Sequence, residues 1–143
     1  MPLPEPRPGL VIRYAFLWRE EAARGLEEGK DRPCAIVLAA EAGDGKRVIV
    51  LPVTHTPPRD AALAVEIPAD TKRRLGLDDQ QSWVVVTDAN RFIWPGPDLR
   101  PRPGGDVDSV AYGLLPRALF QEIRDKFLGA IDARRAALVP RSE

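Results

Sequence analysis

Two short segments of this 143-residue chain carry side chains suited to phosphate and proton-transfer chemistry. Arg32 stands directly before an apolar run, where Pro33 biases it toward an extended backbone and restricts the reach of its guanidinium. A second apolar run ends in Thr54, His55 and Thr56. A guanidinium binds phosphate oxygens in pairs and stays charged at any working pH. Thr54 can donate its hydroxyl to the same phosphate, and His55 can act as a base or an acid.

RNA cleavage is one reaction for which such groups suffice. RNA carries its own nucleophile, the 2′-OH, so a ribonuclease without a metal ion has to orient that hydroxyl, neutralise developing charge and move protons. Arg32 suits charge neutralisation, while Thr54 and His55 suit phosphate binding and proton transfer. The one histidine and the one cysteine of the chain are far apart in sequence and give no metal-ligand spacing, so we expect no cofactor.

The two apolar runs must be neighbouring strands if these side chains are to meet. Residues 34–40 and 47–53 have the length and composition of strands, and Gly43, Asp44 and Gly45 form a turn signal between them. In an antiparallel pair, the start of one strand lies beside the end of the other. The sequence therefore predicts that Arg32 and Thr54 face one cleft.

Proline and glycine divide the rest of the chain into short elements. The patterns predict strands over residues 10–18, 63–67, 83–87 and 91–94, and short helical segments within 19–30 and over 71–75. An amphipathic helix is predicted over residues 115–135, because apolar residues recur there at four-residue steps: Leu115, Leu119, Ile123, Phe127 and Ile131. Five or six short strands with a terminal helix fit a mainly β fold, a small SH3-like β-barrel.

The length of the chain is that of one domain, which we place at residues 1–143. Within it, residues 1–8 form a proline-rich arm, and residues 95–108 form a loop with four prolines and three glycines. Cys34 is the only cysteine and lies inside an apolar run, so an internal disulfide is excluded and a reducing compartment is expected. No apolar stretch approaches membrane length. We predict a cytoplasmic protein.

Four segments of the chain are informative because of the order in which they occur. They are residues 9–16, Gly-Leu-Val-Ile-Arg-Tyr-Ala-Phe; residues 27–33, Glu-Glu-Gly-Lys-Asp-Arg-Pro; residues 52–55, Pro-Val-Thr-His; and Gly76-Leu77 followed by residues 84–91, Val-Val-Val-Thr-Asp-Ala-Asn-Arg. Together they resemble the MazF/PemK-like toxins of bacterial type II toxin–antitoxin systems. The chain departs from the family pattern at Lys30, Ala89 and Val86, where glycine, glutamine and, in some members, a catalytic arginine are usual.

The resemblance implies a metal-independent endoribonuclease that cleaves single-stranded RNA, such as mRNA, by attack of the 2′-OH. The products would be a 2′,3′-cyclic phosphate and a 5′-OH. It also implies a homodimer, a cognate antitoxin protein that holds the toxin inactive, and the small β-barrel shared by MazF, PemK and CcdB-like proteins. On the matching positions we predict four catalytic residues: Arg32, Thr54, His55 and Asp88. The predicted RNA-binding residues are Glu27, Lys30, Thr56, Arg59, Arg91 and Trp94.

Each of these residues also has a purely structural interpretation. Arg32 can be a surface arginine paired with a nearby carboxylate. Alternation along the strand would point His55 to the opposite face from the preceding threonine, away from the cleft. Asp88 can form a structural ion pair with Arg91, or else accept the proton or orient that arginine in catalysis. Trp94 can stack on an RNA base at the rim of the cleft or pack in the core.

The charges of the chain leave two functions open. Lysine plus arginine equal aspartate plus glutamate at 21 each, so RNA binding requires a local basic patch. The side chains considered for that patch are Arg59, Lys72, Arg73, Arg74 and Arg91. Arg32 and Thr54 favour an RNA-cleaving toxin. Ala89 in place of glutamine, together with the balanced charge, favours a non-catalytic barrel of the same fold that acts by binding a protein, like a gyrase poison or a decayed toxin.

Overall fold

The computed structural model describes residues 3–43, 45–106 and 109–141. Within them, eight strands are β1 (Leu10–Phe16), β2 (Lys30–Ala42), β3 (Gly45–Thr54), β4 (Ala64–Glu66), β5 (Trp83–Val85), β6 (Asp88–Ile93), β7 (Ala111–Leu114) and β8 (Ala137–Pro140). The helices are α1 (Arg19–Ala23), α2 (Ala69–Leu75) and α3 (Arg117–Asp132), and a short 3-10 helix spans Ala61–Leu63. Parts of three predicted features lie outside the described residues: positions 1–2 of the arm, Asp44 of the turn and positions 107–108 of the loop.

β2 and β3 form the long hairpin that the two apolar runs predict. The strands pair antiparallel, with Cys34 opposite Pro52. β1 pairs antiparallel with the other edge of β2. The start of β2 therefore lies beside the end of β3, which is the arrangement that Arg32 and Thr54 need in order to approach each other.

The remaining strands complete the sheet around this hairpin. β3 pairs along its first part with β6 and at its end with β5, which also pairs with β4. β7 pairs with β1, and β8 pairs with β6. Among these pairs, β6 with β8 is parallel and the others are antiparallel. The prediction of a mainly β fold with a C-terminal helix is confirmed.

Alternation along the strands sends apolar side chains to two separate clusters. Tyr14 and Phe16 of β1 are fully buried in one of them. Val11 of the same strand lies in the other cluster, together with Ile123 and Phe127 of α3. The sheet thus buries apolar side chains on both faces, and α3 covers one of these faces.

The C-terminal elements differ from the prediction. α3 begins after Pro116 and ends at Asp132, inside the predicted range of 115–135. Ile131 is 46% exposed because successive four-residue steps exceed the 3.6-residue helical turn and drift away from the face that buries Ile123 and Phe127; Ala130 takes the buried position in the last turn. Arg134 then adopts a left-handed backbone with a φ of 58°, which is incompatible with further helix. β7 and β8 are not predicted from the sequence, because each is only four residues long.

The residue after β8 is a buried arginine that ties several segments together. The guanidinium of Arg141 donates to the carbonyl of Ala15 at 2.7 Å and to Oδ1 of Asn90 at 3.1 Å. It also donates to the carbonyl of Glu27 at 3.3 Å and pairs with Asp98, whose carboxylate lies 3.3 Å away. The C-terminal segment therefore holds the connection between β1 and β2, the segment that leads into the predicted cleft.

Candidate functional site

A cavity of about 500 Å³ lies where the start of β2 meets the end of β3. Arg32, Thr54 and His55 all line it, so the structure brings together three of the four residues predicted to be catalytic. The expectation that alternation turns His55 to the opposite face is wrong. β3 ends at Thr54, and the alternation ends with the strand.

Arg32 is held by contacts that leave part of its guanidinium unpaired. Nη1 donates to the carbonyl of Val53 at 3.3 Å, and the guanidinium carbon lies 5.2 Å from the centre of the Trp18 ring. Nε is buried and has no acceptor among the residues that the structure describes. Because a guanidinium binds phosphate oxygens in pairs of hydrogen bonds and Arg32 lines the cavity, this side chain is suited to an anionic ligand.

The hydroxyl of Thr54 is placed to donate. Its Oγ1 accepts the backbone N–H of Thr56 at 3.2 Å. A hydroxyl has one hydrogen and two acceptor sites, so this contact occupies one lone pair and leaves the hydrogen available. Thr54 can therefore contribute a donor to an anion bound beside Arg32.

His55 belongs to a charge network with Asp78 and Lys72. Nε2 of His55 lies 2.8 Å from Oδ2 of Asp78, and Nζ of Lys72 lies 2.7 Å from Oδ1 of the same carboxylate. The Lys72 side chain is 5% exposed, and it also donates to the hydroxyl of Ser82 at 2.7 Å and to the carbonyl of Gln80. Every hydrogen of its ammonium group can therefore be matched with an acceptor.

The electrostatics of this network keep Asp78 ionised. Partial burial alone would raise the pKa of Asp78, but hydrogen bonds from Lys72, the backbone of Gln80 and His55 outweigh it and lower that pKa below its usual value. The carboxylate is therefore a permanent acceptor for the imidazole at neutral pH.

The cavity is cationic although the chain as a whole is neutral. Its lining contains two carboxylates, Asp31 and Asp78, and five cations: Arg13, Lys30, Arg32, Lys72 and Arg102. Within the described part of the chain, Nε of Arg102 is buried without an acceptor, as is that of Arg32. The excess of positive charge supplies the local basic patch that a neutral chain needs in order to bind a polyanion.

Several predicted residues do not line this cavity. Of the predicted RNA-binding residues, only Lys30 lines it. The five that lie outside its lining are Glu27, Thr56, Arg59, Arg91 and Trp94. Of the basic side chains considered for a patch, only Lys72 lines it. Arg73 instead pairs with Asp70, and Arg74 donates to a backbone carbonyl of β7. Trp94 packs beside Phe92, with ring centres 6.2 Å apart.

Asp88 also lies away from the cavity. Its carboxylate accepts the backbone N–H of Arg19 at 3.0 Å and lies 3.7 Å from the guanidinium of the same residue. A carboxylate in this position stabilises the first turn of α1. Its ion-pair partner is thus Arg19 and not Arg91, and we leave Asp88 out of the site proposed below.

The sequence carries little signal for three residues of the cavity wall. Lys72 and Asp78 flank Gly76, which ends α2 in a left-handed conformation with a φ of 72°. The glycine predicts the end of the helix, but no spacing predicts that the chain then returns to His55. Arg102 comes from the proline-rich loop, which runs along β1 and is hydrogen-bonded to it.

The fold and the cavity define a small, mainly β protein with a C-terminal helix and a cationic site at the end of its central hairpin. A model of the PemK-like, MazF-like toxins of type II toxin–antitoxin systems matches residues 6–92. The chain therefore belongs to this family, and membership implies an antitoxin as its partner. A search of curated proteins found no match.

None of the helices in the described residues is long and apolar enough to cross a membrane. Nor do these residues contain a group of three or more histidine, cysteine, aspartate or glutamate side chains that could hold a metal ion.

Proposed function

We propose that this protein is a toxin that acts as a metal-independent endoribonuclease on single-stranded RNA. The observation that carries the proposal is a pair of arginines, Arg32 and Arg102, in one cavity. They belong to a lining of five cations and two carboxylates, which gives the cavity an excess of positive charge. A phosphate group is negatively charged and binds a guanidinium in pairs of hydrogen bonds.

The proposed reaction uses the 2′-OH of the RNA as nucleophile. The 2′-oxygen bonds to the adjacent phosphorus, the bond from phosphorus to the 5′-oxygen breaks, and a 2′,3′-cyclic phosphate and a 5′-OH result. The 2′-OH gives its proton to a base, and the departing 5′-oxygen takes up a proton. Arg32 stabilises the charge that develops on the phosphate, Thr54 donates to the same group, and His55 transfers a proton.

We also propose that the protein works as a homodimer in the cytoplasm and that its antitoxin covers the cavity. Family membership supports an antitoxin, and the charge of the cavity supports its location. Lys30, Arg32 and Arg102 attract an acidic peptide as well as they attract RNA. An antitoxin bound there would exclude RNA by direct competition.

The proposal is tested by incubating the purified protein with a long unstructured RNA in EDTA and mapping the fragment ends. We expect cleavage that leaves a 2′,3′-cyclic phosphate, and no cleavage where the scissile nucleotide is 2′-deoxy. Cleavage of the 2′-deoxy substrate, or a strict requirement for a divalent ion, would contradict this mechanism. An intact RNA would favour the non-catalytic, protein-binding alternative.

A further inference from the structure

Asp78 uses its two carboxylate oxygens on two different partners. Oδ1 lies 2.7 Å from Nζ of Lys72, and Oδ2 lies 2.8 Å from Nε2 of His55. Lys72 has only donors to offer, and its side chain is buried. Lys72 and the backbone N–H of Gln80 therefore share Oδ1, and Oδ2 is left to the imidazole.

This arrangement determines where the imidazole carries its hydrogen. An ionised carboxylate can only accept hydrogen bonds. Nε2 of His55 must therefore hold the hydrogen that bridges to Oδ2. In the neutral ring, Nδ1 then has the free lone pair, which is the form that a general base requires.

We propose that Asp78 is a positioning residue that keeps His55 in the Nε2–H tautomer, so that Nδ1 serves as the general base. The inference rests on the function proposed above. The proton of the 2′-OH passes to Nδ1 as the 2′-oxygen bonds to phosphorus and the bond to the 5′-oxygen breaks. The 5′-oxygen takes its proton from water. Lys72 acts indirectly, because it holds the carboxylate of Asp78, which in turn holds the imidazole.

The attachment of Asp78 distinguishes this pair from an ordinary surface ion pair. The side chains of His55 and Asp78 are each 48% exposed, and two freely rotating side chains at such exposure would gain little from pairing. Asp78 does not rotate freely, because its Oδ1 accepts both from Lys72 and from the backbone N–H of Gln80, the latter at 3.1 Å. The conformational entropy lost when the imidazole binds is correspondingly smaller.

The tautomer can be measured directly, because His55 is the only histidine of the chain. Its ring nitrogens can be observed by NMR in tag-free, ¹⁵N-labelled protein with no RNA present. Above neutral pH we expect the Nε2–H tautomer in the wild type. In Asp78→Asn the amide oxygen should stay with Lys72, which can only donate, so the amide NH₂ faces the ring. The ring should then switch to the Nδ1–H tautomer.

Activity measurements on the same variants separate this inference from the proposed function. Asp78→Asn should lower kcat on RNA by about 10²–10⁴-fold, the range of a general base, and leave KM little changed. The loss should not add to that of His55→Ala, because both changes disable one unit. Asp79→Asn changes the neighbouring exposed carboxylate, and this control should keep the wild-type tautomer and kcat.

The possible outcomes differ for the two claims. A wild-type ring in the Nδ1–H tautomer, or an Asp78→Asn protein that retains both the tautomer and kcat, overturns the positioning role while RNA cleavage stands. A wild-type protein that cuts no RNA overturns the proposed function and, with it, the role of His55 as a base. The switch of tautomer together with the loss of kcat supports both.

Discussion

The guanidinium carbon of Arg32 lies 5.2 Å from the centre of the Trp18 ring, so an aromatic face from the start of α1 meets the cation at the start of β2. Trp18 in turn packs edge-on against Phe16, with ring centres 5.5 Å apart. The contact couples the orientation of the proposed phosphate-binding group to the connection between β1 and β2.

Removing the aromatic face should therefore affect both stability and cleavage. A cation–π contact contributes about 0.5–2 kcal/mol, and Trp18→Leu should lower the free energy of unfolding in urea by that order. Its cleavage rate should also fall, because Arg32 loses a fixed orientation. Phe120→Leu is the control, since this aromatic residue of α3 does not line the cavity, and its rate should match that of the wild type. Equal rates for Trp18→Leu and the wild type would contradict the proposed coupling.

The role proposed for Arg32 depends on the planar fork of its guanidinium and not only on its charge. A lysine supplies a single charged point in place of a planar pair of donors. Arg32→Lys should therefore lose nearly as much cleavage rate as Arg32→Ala, on the order of 10²–10³-fold, as for one donor that stabilises the transition state. Arg124→Ala removes an exposed arginine of α3, outside the cavity, and should cleave at the wild-type rate. A folded Arg32→Ala protein with full activity would refute the site.

The thiol of Cys34 should be unreactive toward alkylating reagents in the folded protein. Its thiol is fully buried and contacts the carbonyl of Arg32, with sulfur and oxygen 3.6 Å apart. Burial raises the pKa of this thiol far above its usual range, although the charges of Arg32, Arg13 and Arg141 oppose the change. The thiolate is the reactive form, so iodoacetamide should label Cys34 only on unfolding. Labelling of the native protein as fast as at an exposed site would contradict this expectation. The variant Thr56→Cys supplies such a site for comparison.

The lowered pKa of Asp78 should make part of the stability depend on pH. The folded-state pKa lies below the unfolded-state value, so the carboxylate stabilises the folded protein above the unfolded-state pKa. This contribution is lost as the pH falls through the folded-state pKa. The difference in unfolding free energy between wild type and Asp78→Asn should therefore be present near neutral pH and shrink below about pH 4. Urea titrations at a series of pH values measure it, and a difference that stays constant would argue against the network.

Arg141 should be among the most sensitive positions for stability. Its removal leaves the largely buried carboxylate of Asp98 without this partner, and breaking a buried ion pair usually costs about 3–5 kcal/mol. We expect a loss of that order for Arg141→Ala in urea unfolding. Arg117→Ala, at the exposed start of α3, should stay within about 0.5 kcal/mol of the wild type. Similar losses in both variants would show that the buried network contributes nothing special.

The approach of Arg32 to the end of β3 could be predicted because it follows from local information. Two apolar runs and a turn signal define a hairpin, and a hairpin determines which strand ends meet. The same reasoning fails for His55, because it extends the alternation of side chains one residue beyond the strand. A sequence pattern predicts a strand well but does not fix its last residue.

The rest of the site depends on contacts that no local pattern contains. Asp78 reaches His55 only because α2 packs against the sheet through Leu75, and Arg102 arrives on an irregular loop. The neighbour that Asp88 contacts depends on tertiary structure in the same way. Its carboxylate binds the backbone of Arg19, a residue 69 positions away in sequence. A family motif indicates that an acidic residue stands at this position, but not which neighbour it faces.

The family match ends at residue 92, inside β6, yet β6 is enclosed by β3 on one edge and by β8 on the other. A clone limited to residues 6–92 would lack α3, and the apolar surface beneath Ile123 and Phe127 would face solvent. It would also leave an open edge on β6, and uncovered edges and apolar surfaces promote aggregation. Attempts to express a minimal toxin should therefore retain the chain through Arg141, because trimming to the recognised motif is expected to yield an insoluble product.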